Sequence, residues 1–299
     1  MRKTENSFFV LVSVFVLATA LAGLCFHQKE TDTWPHRVLV TNDDGIESPG
    51  IIELARAFSQ VAETYVVAPD RNRSGSTHFM SAMKKGALKV KKRSIGKNIK
   101  AYAVDGFPAD CVLVALGGIM QDNLPDIVIS GINDGPNYSD AWIGSGTIGA
   151  ARVASYNGFP AIAVSGVDDK NPGALEAASR WIVRLTQSPF FHKLGKKQFL
   201  TVDIPNVPPS EIKGIRPAKR AELHATPVFQ KSGDSTGEGQ EIWRMAGRKE
   251  PSKAIPDDSD YSLFMEGHIV IVPMKADEND CKILAELQQN LSLLPPWAK

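Results

Sequence analysis

The chain has 299 residues, of which 43% are hydrophobic and 22% are charged, and its formal net charge is +1. This length accommodates one α/β domain with a substantial core, or one domain with a small appendage. The even charge balance excludes a protein that depends on a strong overall field, such as one that coats DNA. We therefore expect no sequence-specific nucleic-acid binding.

The N-terminal segment 1–35 has the composition of an export signal. Two basic residues precede an uncharged, mostly apolar run over 8–24. Small residues near its end suit cleavage by a signal peptidase, so a signal peptide is predicted. Two alternatives stay open, an uncleaved N-terminal anchor and lipidation at Cys25. All three predict an exported, periplasmic protein, which contacts the membrane only if the segment is uncleaved or lipidated.

Short β-branched runs alternate with helical patterns from residue 37 onward. Strands are predicted at 37–41, 65–68, 126–130 and 160–165. Helices are predicted after Ser48-Pro49, over 147–156 and after Asn171-Pro172. In the first and third of these, a capping side chain precedes a proline at the first helical position. Strands that alternate with helices predict an α/β fold with a doubly wound, mostly parallel sheet.

The second half of the chain is less regular. Runs at 199–203 and 269–272 resemble strands, and residues 206–260 between them are rich in Pro, Gly, Lys and Ser. We expect a protruding loop or hairpin there, a last helix over 277–291 and an apolar tail at 293–297. The prediction is one domain, residues 36–299, with an irregular C-terminal extension made of a hairpin and a tail.

Polar loops follow three of the predicted strands. In an open α/β sheet, ligands bind outside the carboxyl ends of the strands, so these loops should share one rim of the sheet. This inference is geometric and is the main reason to expect a site. The loops are Asn42-Asp43-Asp44-Gly45, Asp70-Arg71-Asn72-Arg73-Ser74-Gly75 and Ser130-Gly131-Ile132-Asn133-Asp134-Gly135-Pro136-Asn137.

The adjacent carboxylates of Asp43 and Asp44 need an explanation. Two like charges about 4 Å apart repel by about 4 kcal/mol at an effective dielectric constant near 20. A cation relieves that repulsion, as does full exposure in an Asp-Gly turn or protonation of one acid. Ser74 and Asn133 would add neutral oxygen donors, and an all-oxygen set favours a hard ion such as Mg²⁺ or Mn²⁺.

The segment 144–149 matches the dinucleotide-binding pattern G-x-G-x-x-G. The context is wrong, because that pattern should follow directly on a strand, and here a loop precedes it. A narrower interpretation holds: Ser145, Gly146 and Thr147 lie at a helix N-terminus, where backbone N–H groups favour phosphate. The alternative is that Ser145 or Thr147 only caps the helix.

Three further features carry open alternatives. Residues 84–100 contain eight basic side chains and no acidic one. They could bind or steer an anion, or form a solvated sheet edge. His78 lies four residues beyond Ser74, so it is either an acid or phosphate donor at the site or a surface histidine. Cys111 and Cys281 are expected to be packing residues, with a disulfide between them open if the protein is exported.

Five ordered motifs together resemble the SurE family, the stationary-phase survival 5′/3′-nucleotidases. The resemblance covers roughly residues 36 to 290, and a weaker match follows at 258–274. Five motifs in order are far more specific than any one loop. The motifs are VTNDDGIESPGI from residue 40, VVAPDRNRSGS from 66, GFPADCV from 106, DIVISGINDGPN from 126 and GSGTIGAARVA from 144.

This resemblance implies a Rossmann-like core and a divalent-metal-dependent phosphomonoesterase that hydrolyses nucleoside 5′- and 3′-monophosphates. It implies one metal ion, Mg or Mn with Zn as an alternative, and homodimers or homotetramers with exchanged C-terminal elements. The family pattern places the metal on Asp43, Asp44, Ser74 and Asn133, with the two aspartates as catalytic residues. The phosphate side of the pocket falls on Gly75, Asn137, Ser145, Gly146 and Thr147, and Pro108, Asp110 and Cys111 support the rim.

Two departures from the family pattern are visible. The family usually carries asparagine where Asp203 stands, which changes local hydrogen bonding but leaves the metal set intact. The export signal also departs, since typical members are cytoplasmic, and it bears on the physiological substrate. Two other functions stay open: an exported nucleotide-binding protein without catalysis, and a dinucleotide-dependent oxidoreductase that uses residues 144–149.

Overall fold

The computed structural model describes residues 34–223, 226–232, 241–249, 254–278 and 280–289. The apolar run at 8–24 and the tail at 293–297, both named above, lie outside these residues. From Pro35 onward the chain forms one unit. Within the described ranges, no helix is long and apolar enough to cross a membrane.

Eleven strands are present in the described part of the chain. In chain order they are β1 (Arg37–Thr41), β2 (Glu63–Pro69), β3 (Val90–Arg93), β4 (Ile99–Val104), β5 (Ile127–Asn133), β6 (Ala161–Ser165), β7 (Gln198–Asp203), β8 (Ile215–Pro217), β9 (Pro227–Ser232), β10 (Ile242–Arg248) and β11 (Ile269–Lys275).

The helices alternate with the strands through the first two thirds of the chain. They are α1 (Pro49–Phe58), α2 (Ala82–Lys85), α3 (Pro108–Val114), α4 (Gly146–Tyr156), α5 (Pro172–Thr186), α6 (Asp260–Met265) and α7 (Cys281–Gln289). A π-helical turn, Ala115–Ile119, extends α3, and short 3₁₀ turns occur at Ser139–Ile143, Phe191–Lys193 and Pro209–Glu211.

Nine strands form one sheet in the order β3-β4-β2-β1-β5-β6-β7-β11-β8, and β9 and β10 form a separate hairpin. The six strands from β4 to β7 in that order are parallel. Two antiparallel pairings close this block, β3 on β4 and β11 on β7. The fold is therefore the predicted mostly parallel α/β sheet.

The parallel strands consist of buried apolar residues because helices cover both faces of the sheet. Helices α1 and α5 pack together on one face, and α3 and α4 pack together on the other. Leu39, Val67 and Val128 are each 0% exposed and join the core beneath α3 and α4. This rigid block fixes the strand ends from which the polar loops leave.

Prolines start two of the helices as predicted, but only one of the two predicted capping side chains makes a cap hydrogen bond. Asn171 caps α5, because its side chain accepts a hydrogen bond from the N–H of Ala174 and Pro172 follows. Ser48 precedes Pro49 in an extended conformation, yet its side chain makes no cap bond. Its hydroxyl instead accepts a 2.8 Å hydrogen bond from the Asn42 amide. This bond connects α1 to the loop Asn42-Asp43-Asp44-Gly45, which we call the acidic loop.

The C-terminal part is more regular than predicted. The hairpin is present as β9 and β10, but β8 and β11 rejoin the main sheet. The hairpin leaves large apolar side chains in solvent, with Phe229 and Trp243 each 55% exposed. Two described side chains of α7, Ile283 and Leu284, are also about half exposed.

Candidate active site

The acidic loop leaves the sheet where the direction of winding reverses. The chain enters at β1 in the middle of the sheet and moves to β2 and β4 on one side. It then returns to β5, β6 and β7 on the other side, so β1 and β5 flank the switch point. Thr41 pairs with Ser130 across these two strands. Ligands of open α/β sheets bind in the crevice at this point.

Asp43 is buried against the start of α4. It is 2% exposed, and the hydroxyl of Thr147 donates a 2.6 Å hydrogen bond to its Oδ1. A Cβ added to Gly146 would lie 2.8 Å from the Asp43 Cβ and 2.9 Å from its Oδ2, so only glycine fits there. Burial raises the pKa of Asp43, and the bond from Thr147 opposes that shift.

Asp44 is half-buried next to it, and its pKa is raised to about 7. Burial is the main cause, and the negative charges of Asp43 and Asp134 add to it. The backbone N–H of Asp134 donates to Oδ2 of Asp44 at 3.2 Å. Within the part of the chain that the structure describes, no lysine or arginine offsets the charge of either aspartate.

The other two predicted metal ligands lie on the neighbouring loops. Ser74 is exposed, and its backbone N–H donates to Oδ1 of Asn72 at 2.9 Å. The Asn133 amide nitrogen donates to the carbonyl oxygens of Gly135 and Asp134, at 2.8 and 3.3 Å. These bonds leave the side-chain oxygen of Asn133 as the atom suited to bind a cation.

The residues present fit a hard divalent cation. Two carboxylates whose ionised forms are destabilised by burial, with oxygen donors on adjacent loops, are the ligands that Mg²⁺ and Mn²⁺ prefer. No three His, Cys, Asp or Glu side chains cluster at metal-binding distances in the described ranges. The proposed set needs only two carboxylates, so it agrees with that finding, and it offers no nitrogen or sulfur ligand.

The three polar loops do meet at one rim, as predicted. The N–H of Arg73 donates to the carbonyl oxygen of Asp43 at 2.6 Å, which joins the second loop to the first. The N–H of Thr77 donates to the carbonyl oxygen of Gly144 at 3.0 Å, which joins the second loop to the segment before α4. These backbone bonds fix the position of the loops independently of any ligand.

Three of the predicted phosphate-side residues lie at the start of α4, and the other two, Gly75 and Asn137, lie in the second and third polar loops. Ser145 is the N-cap of α4, since its hydroxyl accepts a 3.1 Å hydrogen bond from the N–H of Ile148. Ser145 therefore has the capping role named as the alternative, and the Thr147 hydroxyl is occupied by Asp43. The first-turn N–H groups of Gly146 and Thr147 donate to the Asp43 carboxylate and oppose the rise in its pKa, so the positive end of the helix faces this aspartate. Gly75 is exposed, with φ at 77°.

Asn137 lies further along the rim and is 8% exposed. Its side-chain nitrogen donates to the Ser165 hydroxyl at 2.7 Å, and its backbone N–H donates to Oδ1 of Asp203 at 2.6 Å. A primary amide carries two hydrogens, so one stays available to a ligand. Asp203, which stands where the family usually has asparagine, is therefore a hydrogen-bond partner of the predicted site residue Asn137.

A cavity of about 210 Å³ adjoins Asp44. The carboxylates of Asp134, Asp168 and Asp169 also border it, and these three residues were not among the predicted site residues. The sequence does contain a signal for them, because they follow the ends of β5 and β6 on the same rim. The cavity is lined by Asp44, Ser48, Pro49, Gly50, Asn72, Ile132, Asp134, Val167, Asp168 and Asp169.

His78 lies elsewhere. It is exposed and lines a separate cavity of about 570 Å³ with Arg152, Tyr156 and Glu278. It does not border the cavity at Asp44. This placement agrees with the surface histidine named as the alternative. The basic residues over 84–100 likewise form a solvated edge, because all four residues of β3 are exposed.

The GFPADCV segment supports the rim through Asp110, which is fully buried. Its carboxylate accepts hydrogen bonds from the N–H groups of Ser81, Ala82 and Phe107, at 2.9 to 3.0 Å. Both described cysteines are free thiols, Cys111 buried and Cys281 exposed. The disulfide alternative is therefore wrong, and so is the prediction that Cys281 packs in the core.

The fold and site define a Rossmann-like α/β protein with two adjacent aspartates and a helix N-terminus at its switch point. Residues 38–226 match the family model described as Survival protein SurE. The chain is 34% identical to the 5'-nucleotidase SurE of Petrotoga mobilis, covering 86% of this chain and 99% of the relative. It is 37% identical to the 5'/3'-nucleotidase SurE of Yersinia enterocolitica, covering 81% and 92%.

A solved structure agrees with these sequence matches. The crystal structure of SurE protein from Aquifex aeolicus superposes with a TM-score of 0.70 at 30% identity. The match covers 85% of this chain and 98% of that one. The chain belongs to the SurE family.

Proposed function

We propose that this protein is a 5′/3′-nucleotidase, a phosphoric monoester hydrolase that converts nucleoside 5′- and 3′-monophosphates to nucleoside and phosphate. The single observation that supports this most directly is the pair of Asp43, buried, and Asp44, half-buried, at the switch point without a lysine or arginine partner among the described residues. The names of the relatives, 5'-nucleotidase and 5'/3'-nucleotidase, support the same substrate class.

One divalent metal ion, Mg²⁺ or Mn²⁺ in preference to Zn²⁺, would be held by Asp43, Asp44, Ser74 and Asn133. When bound, such an ion polarises a phosphoryl oxygen and lowers the pKa of water. The protein residues supply the rest. The Thr147 hydroxyl orients Asp43, and the N–H of Asp134 orients Asp44. The two aspartates are thus the catalytic pair of this proposal.

The phosphate would lie near the start of α4, where the positive end of the helix and one hydrogen of the Asn137 amide favour an anion. Both are fixed before substrate arrives, because Ser145 caps the helix and Ser165 holds Asn137. Preorganised donors stabilise charge that develops on a phosphoryl group. Gly75 would let the second loop approach the phosphate through its backbone.

The N-terminal segment 1–35 is proposed to direct export to the periplasm, with residues 36–299 as the nucleotidase domain. The apolar run over 8–24 after two basic residues supports this proposal. N-terminal sequencing of the protein recovered from a periplasmic fraction tests it. An intact N-terminus on a membrane-bound protein would indicate an anchor instead.

A homodimer or homotetramer is proposed as the working form. The exposed apolar side chains of the β9–β10 hairpin, Phe229, Trp243 and Met245, support it, since large exposed apolar groups mark association surfaces. The exposed Ile283 and Leu284 of α7 support it too. Sedimentation equilibrium on the purified protein gives the oligomer size.

A phosphate-release screen tests the function. It covers 5′- and 3′-nucleotides and polyphosphate, each with Mg²⁺, Mn²⁺ or Zn²⁺ and with a chelator. We expect release from nucleoside monophosphates that needs the metal and disappears in the Asp43→Asn variant. Nucleotide binding without release under every metal would favour the non-catalytic binding protein. Binding of a nicotinamide dinucleotide without a metal requirement would favour the oxidoreductase.

A further inference from the structure

Three buried charged side chains surround the short segment that carries Asn137. They are Asp203 on β7, Arg220 after β8 and Asp260 at the start of α6. Asp203 and Asp260 are 1% and 0% exposed, and the Arg220 side chain is 11% exposed. Ionisable groups at this depth need hydrogen-bond partners, and the ion pair in this set is the one between Arg220 and Asp260. We refer to these three residues as the charged cluster.

The charged cluster binds the backbone of the segment. Asp203 accepts the 2.6 Å hydrogen bond from the Asn137 N–H, and Nη1 of Arg220 donates to the Asn137 carbonyl oxygen at 2.8 Å. Asp260 accepts from the Ser139 N–H at 2.9 Å, and Arg220 also reaches the Ser139 carbonyl oxygen at 3.3 Å. Four backbone groups of two residues are thus held by charged side chains.

The cluster is itself anchored to the sheet. Nη2 of Arg220 donates to the Thr201 hydroxyl on β7 at 2.7 Å, and Nη1 lies 3.3 Å from Asp260. The second oxygen of Asp260 accepts from the N–H groups of Ala221 and Tyr261, at 2.7 and 2.8 Å. Because both arms of the guanidinium have fixed partners, its planar fork cannot turn without breaking several bonds.

The backbone of the segment needs such support. Ser139 has φ at 51°, in the left-handed region that a residue with a side chain rarely adopts. Such a conformation persists where the surroundings over-determine it. The chain runs from Ser139 through a 3₁₀ turn to Ser145, the cap of α4. The conformation at Ser139 therefore sets where Asn137 lies relative to the helix N-terminus.

We propose that Arg220, held by Asp260 and Thr201, is a positioning residue that keeps Asn137 in register with the phosphate-binding end of α4. This inference rests on the proposed function. Arg220 touches neither substrate nor metal in this arrangement, and it acts through the backbone of Asn137 and Ser139. Lysine in its place keeps the charge but lacks the fork that binds two carbonyl oxygens and a hydroxyl together.

A double-mutant cycle tests this role. Phosphate release from a nucleoside monophosphate is measured for wild type, Arg220→Lys, Asn137→Ala and the double variant, at saturating metal. We expect Arg220→Lys to lower kcat/KM by about 10- to 100-fold, the effect of a displaced catalytic geometry. The double variant should then stay within about threefold of the worse single variant, since the residues act as one unit. Multiplying losses, or an Asn137→Ala variant as active as wild type, would overturn the proposal.

Hydrogen exchange of the metal-free protein gives a second readout. Arg220→Lys should raise exchange over 136–142, and unchanged exchange there would contradict the role. Arg37→Lys is the matched control, because Arg37 also binds a carboxylate and a carbonyl oxygen but lies at the amino end of β1, away from the rim that carries the polar loops. Its activity should stay within about twofold of wild type.

These experiments distinguish failure of the proposed function from failure of the positioning role. A wild-type protein that releases no phosphate under any metal refutes the proposed function, while the exchange data still judge the positioning role. If Arg220→Lys does not fold, Thr201→Val removes only the hydroxyl that Nη2 binds. It should raise exchange over 136–142 and lower kcat/KM by about threefold, the scale of one hydrogen bond. Wild-type values of both quantities would refute the positioning role.

Discussion

The Thr147 hydroxyl donates a 2.6 Å hydrogen bond to Oδ1 of Asp43, and it joins two residues that are 104 positions apart in the chain. Asp43 follows the first strand, and Thr147 lies in the first turn of α4. The bond therefore couples the acidic loop to the helix N-terminus. One half of the proposed site binds a cation and the other half binds phosphate, so this contact sets the distance between them.

Replacement of Asp43 by asparagine separates stability from cation binding. Burial raises the pKa of Asp43, so its charged form destabilises the metal-free fold. Asparagine keeps an oxygen for Thr147 and removes that charge, but its amide nitrogen would face the N–H groups of Gly146 and Thr147 that donate to the carboxylate. These two effects oppose each other, so we expect metal-free Asp43→Asn to stay folded with a Tm close to that of the wild type. The wild type should gain stability as Mg²⁺ or Mn²⁺ is added, because a ligand of the folded state stabilises it, and the variant should not.

The control for this experiment is Asp126→Asn. Asp126 accepts hydrogen bonds from the N–H groups of His36 and Arg37, at 2.7 and 2.8 Å, at the amino ends of β1 and β5, away from the rim that carries the polar loops. The Asp126→Asn variant should keep the rise in Tm that added metal causes in the wild type. Thermal melts with metal and with chelator measure both variants. An Asp43→Asn protein whose Tm still rises with metal would refute the assignment of Asp43 as a ligand.

Asp203→Asn should change how stability depends on pH. Burial raises the pKa of Asp203 from 3.8 to about 7, and the charge of Asp260 adds to this, while the Asn137 N–H and Arg220 oppose it. Between these two values the folded chain holds a proton that the unfolded chain has released. The free energy of unfolding therefore falls as pH rises through this window. Asparagine avoids that loss, so the variant should be more stable than wild type by about 2 to 4 kcal/mol above pH 7.

Urea unfolding at about pH 4 and about pH 8 measures the difference between the two proteins. At the lower pH both carry a neutral side chain at position 203, so their stabilities should agree. Asp43 and Asp44 also have raised pKa values, so the variant should keep part of the wild-type slope. A constant difference between wild type and Asp203→Asn at all pH values would contradict this account.

Gly149 allows α4 to approach the second polar loop. A Cβ added there would lie 2.0 Å from the Thr77 carbonyl oxygen and 2.4 Å from its carbonyl carbon, so backbone must move. We expect Gly149→Ala to cost about 2 to 4 kcal/mol of unfolding free energy and most of the phosphatase activity. Gly173→Ala, in the first turn of α5, is the matched control.

Gly173 has open space around its Cβ position, the nearest atom being Oδ1 of Asn171 at 4.0 Å. Alanine is the better helix former, so Gly173→Ala should leave activity unchanged and stability equal or higher by up to about 1 kcal/mol. Denaturant unfolding and phosphate release on both variants make the comparison. Equal behaviour of the two variants would show that the close approach at Thr77 is unimportant.

Asp110→Asn should loosen the segment behind the second loop. Oδ2 of Asp110 accepts from the N–H and hydroxyl of Ser81 and from the N–H of Phe107, and Oδ1 accepts from Ala82. An amide replaces one acceptor by a donor that faces other donors. The expected loss is about 2 to 4 kcal/mol of unfolding free energy. Ser81→Ala removes one of these bonds and should cost about 1 kcal/mol. A loss from Asp110→Asn no larger than that would contradict the arrangement.

Local patterns were sufficient to predict most of the parallel sheet. The buried run at 37–41 is β1, and the runs at 160–165 and 199–203 fall on β6 and β7. Each of these strands is apolar because helices cover it on both sides, which leaves a continuous hydrophobic signal. The alternation of strands and helices predicted that the strands are parallel, and parallel strands place the polar loops that follow them at one rim.

The support of the site was not predictable in the same way. Ser145 as a cap and Asp43 as a buried acid have local signals, namely a serine before a helical run and a doublet of acids after a strand. Arg220 and Asp260 have none, because their partners are Asn137 and Ser139, about 80 and 120 positions away. Only the fold shows that they meet.

The positions of the proposed metal ligands and of Arg220 and Asp260 along the chain determine the order in which they are synthesised. A ribosome finishes all four proposed metal ligands by residue 133, well before it adds Arg220 and Asp260. A nascent chain therefore carries the acidic loop for some time before the cluster that orders Asn137 exists. A chain truncated after β7 would retain every proposed ligand and lack Arg220 and Asp260, so the contacts that hold Asn137 and Ser139 form only after the ligands have been made.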